Sequence, residues 1–162
     1  MASYLFDACS MIYMAKIGVK ETLPALGSIK LSPMVKNELL EDEDKFSDAK
    51  LVKKNLDKKI LLKSETEVKN LPAISSLGKG ELESIQICLK THELFITDDH
   101  TALNYALRQG ITTTTSEAIL LELLKQSIIN RTGFDEYFKK LIIMKSLKQD
   151  IIDFINAKAD NI

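Results

Sequence analysis

The chain has 162 residues, 45% of them hydrophobic and 28% charged. That is ordinary for one soluble globular domain and long enough to bury a core without disulfide or metal staples. Its 22 basic and 23 acidic residues leave a net charge of -1, so no global basic field marks it as a nucleic-acid binder. No run approaches the ~20 apolar residues of a membrane span, and the N-terminus lacks a basic region ahead of an apolar one. The expectation is a cytoplasmic protein with no membrane partner. Cys9 and Cys88 both lie in apolar segments and read as reduced core thiols.

Tyr4-Leu5-Phe6 is a short apolar run ending at Asp7, the pattern of a buried strand. Ala8 to Gly18 has a helical apolar face through Met11, Ile12, Met14, Ala15 and Ile17, with Gly18 as its stop. Ile29 to Leu31 reads as a second short strand. Ser32-Pro33 then starts a helix, with serine as the cap and proline at the first helical position. Residues 47–58 form a lysine-rich amphipathic stretch, and Ile60 to Leu62 can make a strand. Residues 64–79 look irregular. Glu81 to about Thr91 reads as a helix buried through Leu82, Ile85 and Leu89. Leu94 to Thr97 is a clear strand, ended by Asp98-Asp99, and the helix after it stops at Gly110. Ile111 to Thr114 is β-branched and strand-like, Ser116 caps a helix to Gln126, and two helices follow, from Phe134 to about Leu147 and from Gln149 to Ala157.

Strand and helix alternate, which argues for a parallel sheet covered by helices. Ligands in such folds bind at the carboxyl ends of the strands. Asp7 and the Asp98-Asp99 pair both stand at strand ends, and if those strands are neighbours, three carboxylates crowd one edge of the sheet. Carboxylates forced together repel and desolvate one another unless a cation joins them. Mg²⁺ or Mn²⁺ suits oxygen donors of this kind. Such a cation activates water and neutralises charge developing on phosphorus.

Four segments carry a family resemblance. Tyr4-Leu5-Phe6-Asp7-Ala8-Cys9-Ser10 with the helix to Gly18 looks like the opening of a PIN domain. Ile29-Lys30-Leu31-Ser32-Pro33-Met34-Val35-Lys36-Asn37-Glu38-Leu39 resembles the family's strand-proline-Val-x-x-Glu-Leu segment. Leu77-Gly78-Lys79-Gly80-Glu81 with Ile85 is similar to the Gly-Glu helix start of one subgroup, and Leu94-Phe95-Ile96-Thr97-Asp98-Asp99 with Ala102, Ala106 and Gly110-Ile111 to its strand-Asp-Asp-helix stretch. The four blocks arrive in family order, from residue 4 to roughly 125.

The resemblance implies a three-layer α/β/α sandwich with a central, mainly parallel sheet. It implies one domain over residues 1–162, with a helical C-terminal extension from about residue 133. It further implies an Mg²⁺- or Mn²⁺-dependent ribonuclease acting on an RNA substrate. Many relatives are toxins restrained by a small antitoxin protein, and many are homodimers. Carried over by motif, the metal-binding acids are Asp7, Glu38, Glu81, and Asp98 or Asp99. Asp99 is preferred because the family's acid commonly stands two residues beyond the threonine, here Thr97. Glu81 is preferred to Glu83 because Glu81 shares a helix face with Ile85 while Glu83 points away. One departure stands out: relatives usually have Ser or Thr two residues after the first Asp, where this chain has Cys9, with Ser10 next.

Each acid also has a plain structural reading. Asp7 and one of the Asp98-Asp99 pair can cap helices, Glu81 suits a helix N-terminus, and Glu38 adjoins the acidic run Glu41 to Asp44. Only the shared order of the four blocks favours a metal site. Lys50, Lys53, Lys54, Lys58 and Lys59 read first as a solvated face, and as an RNA track only if they border the acids. The readings to be separated are ribonuclease, metal-dependent phosphatase on a similar sheet, and a non-catalytic RNA- or protein-binding module.

Overall fold

The computed structural model describes residues 2–41, 62–68, 71–72, 74 and 76–162. In β1 (Ala2–Phe6), the side chains of Tyr4, Leu5 and Phe6 are all buried, although successive residues point to opposite faces. A strand buried on both faces belongs in the middle of a covered parallel sheet. Its neighbours are β2 (Gly27–Leu31), with Phe6 opposite Leu31, and β4 (Leu94–Ile96), with Phe6 opposite Ile96. β3 (Leu62–Lys63) and β5 (Thr113–Thr114) close the two edges. All pairings are parallel, in the order β3-β2-β1-β4-β5. The chain therefore builds outward from β1 in one direction, then returns to its other side. The gap between the carboxyl ends of β1 and β4 is the switch point where such sheets bind ligands.

The alternation along β1 sorts the core into two layers. Tyr4 and Phe6, with Ile29, Leu31 and Ile96, face helices α1 (Ala8–Ile17), α2 (Pro33–Glu41), α5 (Ser116–Lys125), α6 (Arg131–Lys145) and α7 (Gln149–Asp160). Leu5 and Phe95 face α3 (Lys79–Thr91) and α4 (His100–Arg108). This is the expected three-layer sandwich. The C-terminal helices belong to the first layer: Phe134, Phe138, Leu141, Ile155 and Ala159 are buried in it, each large side chain contributing about 1.5–3 kcal/mol.

Local chemistry sets the helix ends. Gly18 takes a left-handed φ of 89° and its N–H closes α1 on Ala15 and Met14 carbonyls. The Ser32 hydroxyl accepts the Val35 N–H at 3.1 Å, capping α2 as the Ser-Pro pair predicts. α6 starts three residues before Phe134, because the Asn130 side chain accepts the Gly133 N–H at 2.8 Å and caps an extra turn. A 3-10 segment at Lys20–Ala25, with Pro24 inside it, has no counterpart in the sequence reading. Ser116 does not cap α5: Thr115 holds the cap position, and Ser116 makes its bonds to Asp98 instead. The lysine-rich stretch at 47–58 and the acidic run from Asp42 to Asp44 lie outside the described residues.

Candidate metal centre at the carboxyl edge of the sheet

Asp7 follows the last residue of β1 and caps α1. Its Oδ1 accepts the Ser10 N–H at 2.8 Å, and its Oδ2 accepts the Thr97 hydroxyl. Thr97 stands just past β4, so this bond ties the two central strand ends together. The same hydroxyl accepts the Asp99 N–H at 3.2 Å. Thr97 thus positions two of the predicted acids at once. Asp7 is almost fully buried, and burial pushes its pKa to about 6, against the lowering effect of its bonds to Thr97 and Ser10, with Asp98 adding repulsion. Among the described residues, no cation is one of the groups that set this value.

Glu38 and Glu81 come from facing helices, α2 and α3. Gly80 lets them approach: a Cβ there would sit 2.5 Å from Glu38 Oε1. The Gly80 backbone N–H donates to Glu38. Burial raises the Glu38 pKa, the Gly80 bond opposes this, and repulsion from Asp7, Glu41 and Glu83 adds to it. Glu81 Oε2 accepts the Gly78 N–H at 3.1 Å, reaching back over the start of α3. Burial raises its pKa too, with Asp99 and Glu38 contributing repulsion. Asp99 caps α4 through Ala102 N–H at 3.0 Å, and Oδ2 makes no hydrogen bond among the described residues. Asp7 therefore acts on Glu38, and Glu38 and Asp99 both act on Glu81. Glu83 is not idle either: its charge adds to the repulsion on Glu38, it is buried, and its Oε1 accepts the Met34 N–H at 2.8 Å, capping α2 from α3.

Asp98 has different surroundings. Its Oδ1 accepts from the Ser116 N–H at 3.0 Å and from Lys145 Nζ. Its Oδ2 accepts from the Ser10 hydroxyl at 2.8 Å and from the Ser116 hydroxyl. Lys145, the last residue of α6, also donates to Glu117 Oε2. Burial works to lower the Lys145 pKa, but the Asp98 and Glu117 carboxylates outweigh it and hold the ammonium above its ordinary value. A cleft of about 290 Å³ opens beside this group, lined by Tyr13, His100, Lys145 and Lys148 among others.

The donor set fits a hard divalent cation. It is made of carboxylate oxygens, and each of Asp7, Glu38 and Glu81 is destabilised by burial and by acidic neighbours. Among the described residues no three of these acids close a cage. Mg²⁺ does not need one, since it keeps several waters and leans on one or two carboxylates.

One expectation for the site changes. Cys9 is not a core thiol; the residue is exposed, its thiol is hydrogen-bonded with Tyr13, and partial desolvation, with the nearby Asp7 and Asp98, raises its pKa against the Tyr13 bond and the Lys145 charge. Cys88 is buried as expected. Ser10, next to Cys9, is aimed at Asp98. Sequence reasoning missed Thr97 as a bridge, and it missed Lys145 and Glu117 altogether. The β-branched hydroxyl ending a strand between two acids is the signal for Thr97. Lys145 carries none, because a lysine in a last helical turn is common for dipole reasons alone.

A family model described as PIN domain matches residues 3–152. No curated protein and no solved structure matches the chain.

Proposed function

The chain belongs to the PIN-domain family, whose fold is of the nuclease type, and we propose that it is a divalent-metal-dependent endoribonuclease. The observation that carries this reading is four acids gathered at the switch point between β1 and β4: Asp7 is buried, Glu81 half-buried, Glu38 and Asp99 exposed, and Asp7, Glu38 and Glu81 are each held above their ordinary pKa by burial and by acidic neighbours. These four would hold Mg²⁺ or Mn²⁺; Asp98 stands beside them with both oxygens already bonded to Ser10, Ser116 and Lys145. When bound, such a cation polarises a phosphoryl oxygen and makes water nucleophilic near neutral pH.

The chain's own residues supply the rest. Thr97 keeps Asp7 and Asp99 in register. Asp99 and Glu81 are each fixed through one oxygen by the helix they start, which leaves the other for a ligand. Gly80 lets Glu38 reach the same space. Asp7 must be ionised to ligate, so metal binding weakens as pH drops through about 6.

We extend the proposal to action in the cytoplasm as a homodimeric toxin restrained by a small antitoxin protein. Among the described residues no helix is long and apolar enough to cross a membrane. A neighbouring open reading frame for a small protein with a DNA-binding fold would support the toxin role.

The test is cleavage of end-labelled RNA with Mn²⁺, wild type against Asp7→Asn. Loss of at least about 100-fold is expected, since even outer-shell changes cost 10–100-fold. Equal activity would sink the assignment. Turnover of phosphomonoesters in place of RNA would indicate a phosphatase, and absence of Mn²⁺ binding a non-catalytic module.

A further inference from the structure

An ionised carboxylate offers about four lone-pair positions. Asp98 fills four: Ser116 N–H and Lys145 Nζ on one oxygen, the Ser10 and Ser116 hydroxyls on the other. Its side chain is 1% exposed, and that of Lys145 only 10%. Lys145 Nζ stands between an oxygen of Asp98 and one of Glu117 and pairs with both. The three groups come from distant places: a strand end, the first turn of α5 and the last turn of α6. Nothing local forces this meeting. A lysine is costly to bury unless paired, so the pairing accounts for its position.

Resting on the metal-dependent reading of this site, we propose that Lys145 is a positioning residue. It is a tethered cation that occupies the second cation position of the acidic edge and removes Asp98 from the metal set. The chain then holds one divalent ion, through Asp7, Glu38, Glu81 and Asp99. A fixed ammonium repels a second divalent ion, and it keeps Asp98 from competing for the first. It also makes the end of α6 part of the centre's architecture, although α6 contributes no ligand.

Mn²⁺ titration, followed by calorimetry and by loss of the free-ion paramagnetic resonance signal, tests this without reference to turnover. The wild type is expected to bind one ion. Lys145→Met, which keeps the aliphatic stem, is expected to bind two, and Lys145→Arg one. Asp98→Asn is expected to leave the Mn²⁺ dissociation constant within about twofold, whereas Asp7→Asn weakens it at least about 100-fold. The Asp98→Asn result stands even if Lys145→Met fails to fold. Two ions on the wild type, one ion at unchanged affinity on a folded Lys145→Met, or tenfold weaker binding by Asp98→Asn would each overturn the proposal. Unweakened binding by Asp7→Asn would instead remove the metal-site reading beneath it.

Discussion

Asp7 and Asp98 are neighbours at the ends of two paired strands, yet the fold treats them in opposite ways. Asp98 receives two hydroxyls, a backbone N–H and an internal ammonium. Asp7 receives a hydroxyl and a backbone N–H, and burial drives its pKa up to about 6, with no cation of the described residues among its causes. A carboxylate already neutralised has its work inside the fold. One left uncompensated at a ligand-binding edge is held in a costly state, and an outside cation relieves it. The contrast separates architecture from site more sharply than burial does, since both carboxylates are buried.

Removing the internal cation should give the largest effect. Lys145→Ala strands Asp98 and Glu117 as unpaired buried charges, and breaking such a pair costs about 3–5 kcal/mol. Chemical denaturation of the metal-free protein measures it. A loss below about 1 kcal/mol would mean that the two acids are not so different after all.

Asp7 should respond in the other direction. Its folded pKa, about 6, lies above the ordinary 3.8, so its contribution to stability is full below about pH 4 and is lost as pH rises through 6. About two units correspond to about 3 kcal/mol. In the presence of a chelator, Asp7→Asn should therefore be the more stable protein at pH 8, with an advantage that shrinks below pH 6 and vanishes near pH 4. Adding Mn²⁺ should reverse the order at pH 8, because the ion stabilises only the protein that binds it. Thermal melts across pH give both results.

The two glutamates of α3 extend the same comparison. Glu83 is satisfied by the fold, so Glu83→Ala leaves the Met34 N–H unpaired at the start of α2 and should cost about 1–2 kcal/mol, read by denaturation. Metal affinity should stay nearly unchanged. Gly80→Ala should do the opposite. The new methyl group displaces the Glu38 carboxylate, weakening Mn²⁺ binding several-fold, while stability shifts by less than about 1 kcal/mol because alanine favours the helix.

How much of this the sequence disclosed depended on distance along the chain. The strand ending at Asp7, the Ser32-Pro33 helix start and the Leu94 to Thr97 strand are local patterns, and each forms where the pattern puts it. Strand alternation predicted that Asp7 and Asp98-Asp99 share an edge, conditional on a pairing that the register of Phe6 with Ile96 now supplies. The Asp98 network was illegible because its partners lie 18 to 88 residues away. The bond from Glu83 to the start of α2 was illegible for a related reason: helical geometry says which residues share a face, but not which neighbouring helix that face meets. Cys9 was misread because apolar neighbours in sequence do not bury a residue whose helix position turns outward.

Anomalous diffraction from Mn²⁺-soaked crystals tests the contrast most directly. The account predicts a single peak within ligand distance of Asp7, with Lys145 still bridging Asp98 and Glu117. A peak on Asp98 with Lys145 displaced, or no peak at this edge of the sheet, would contradict it.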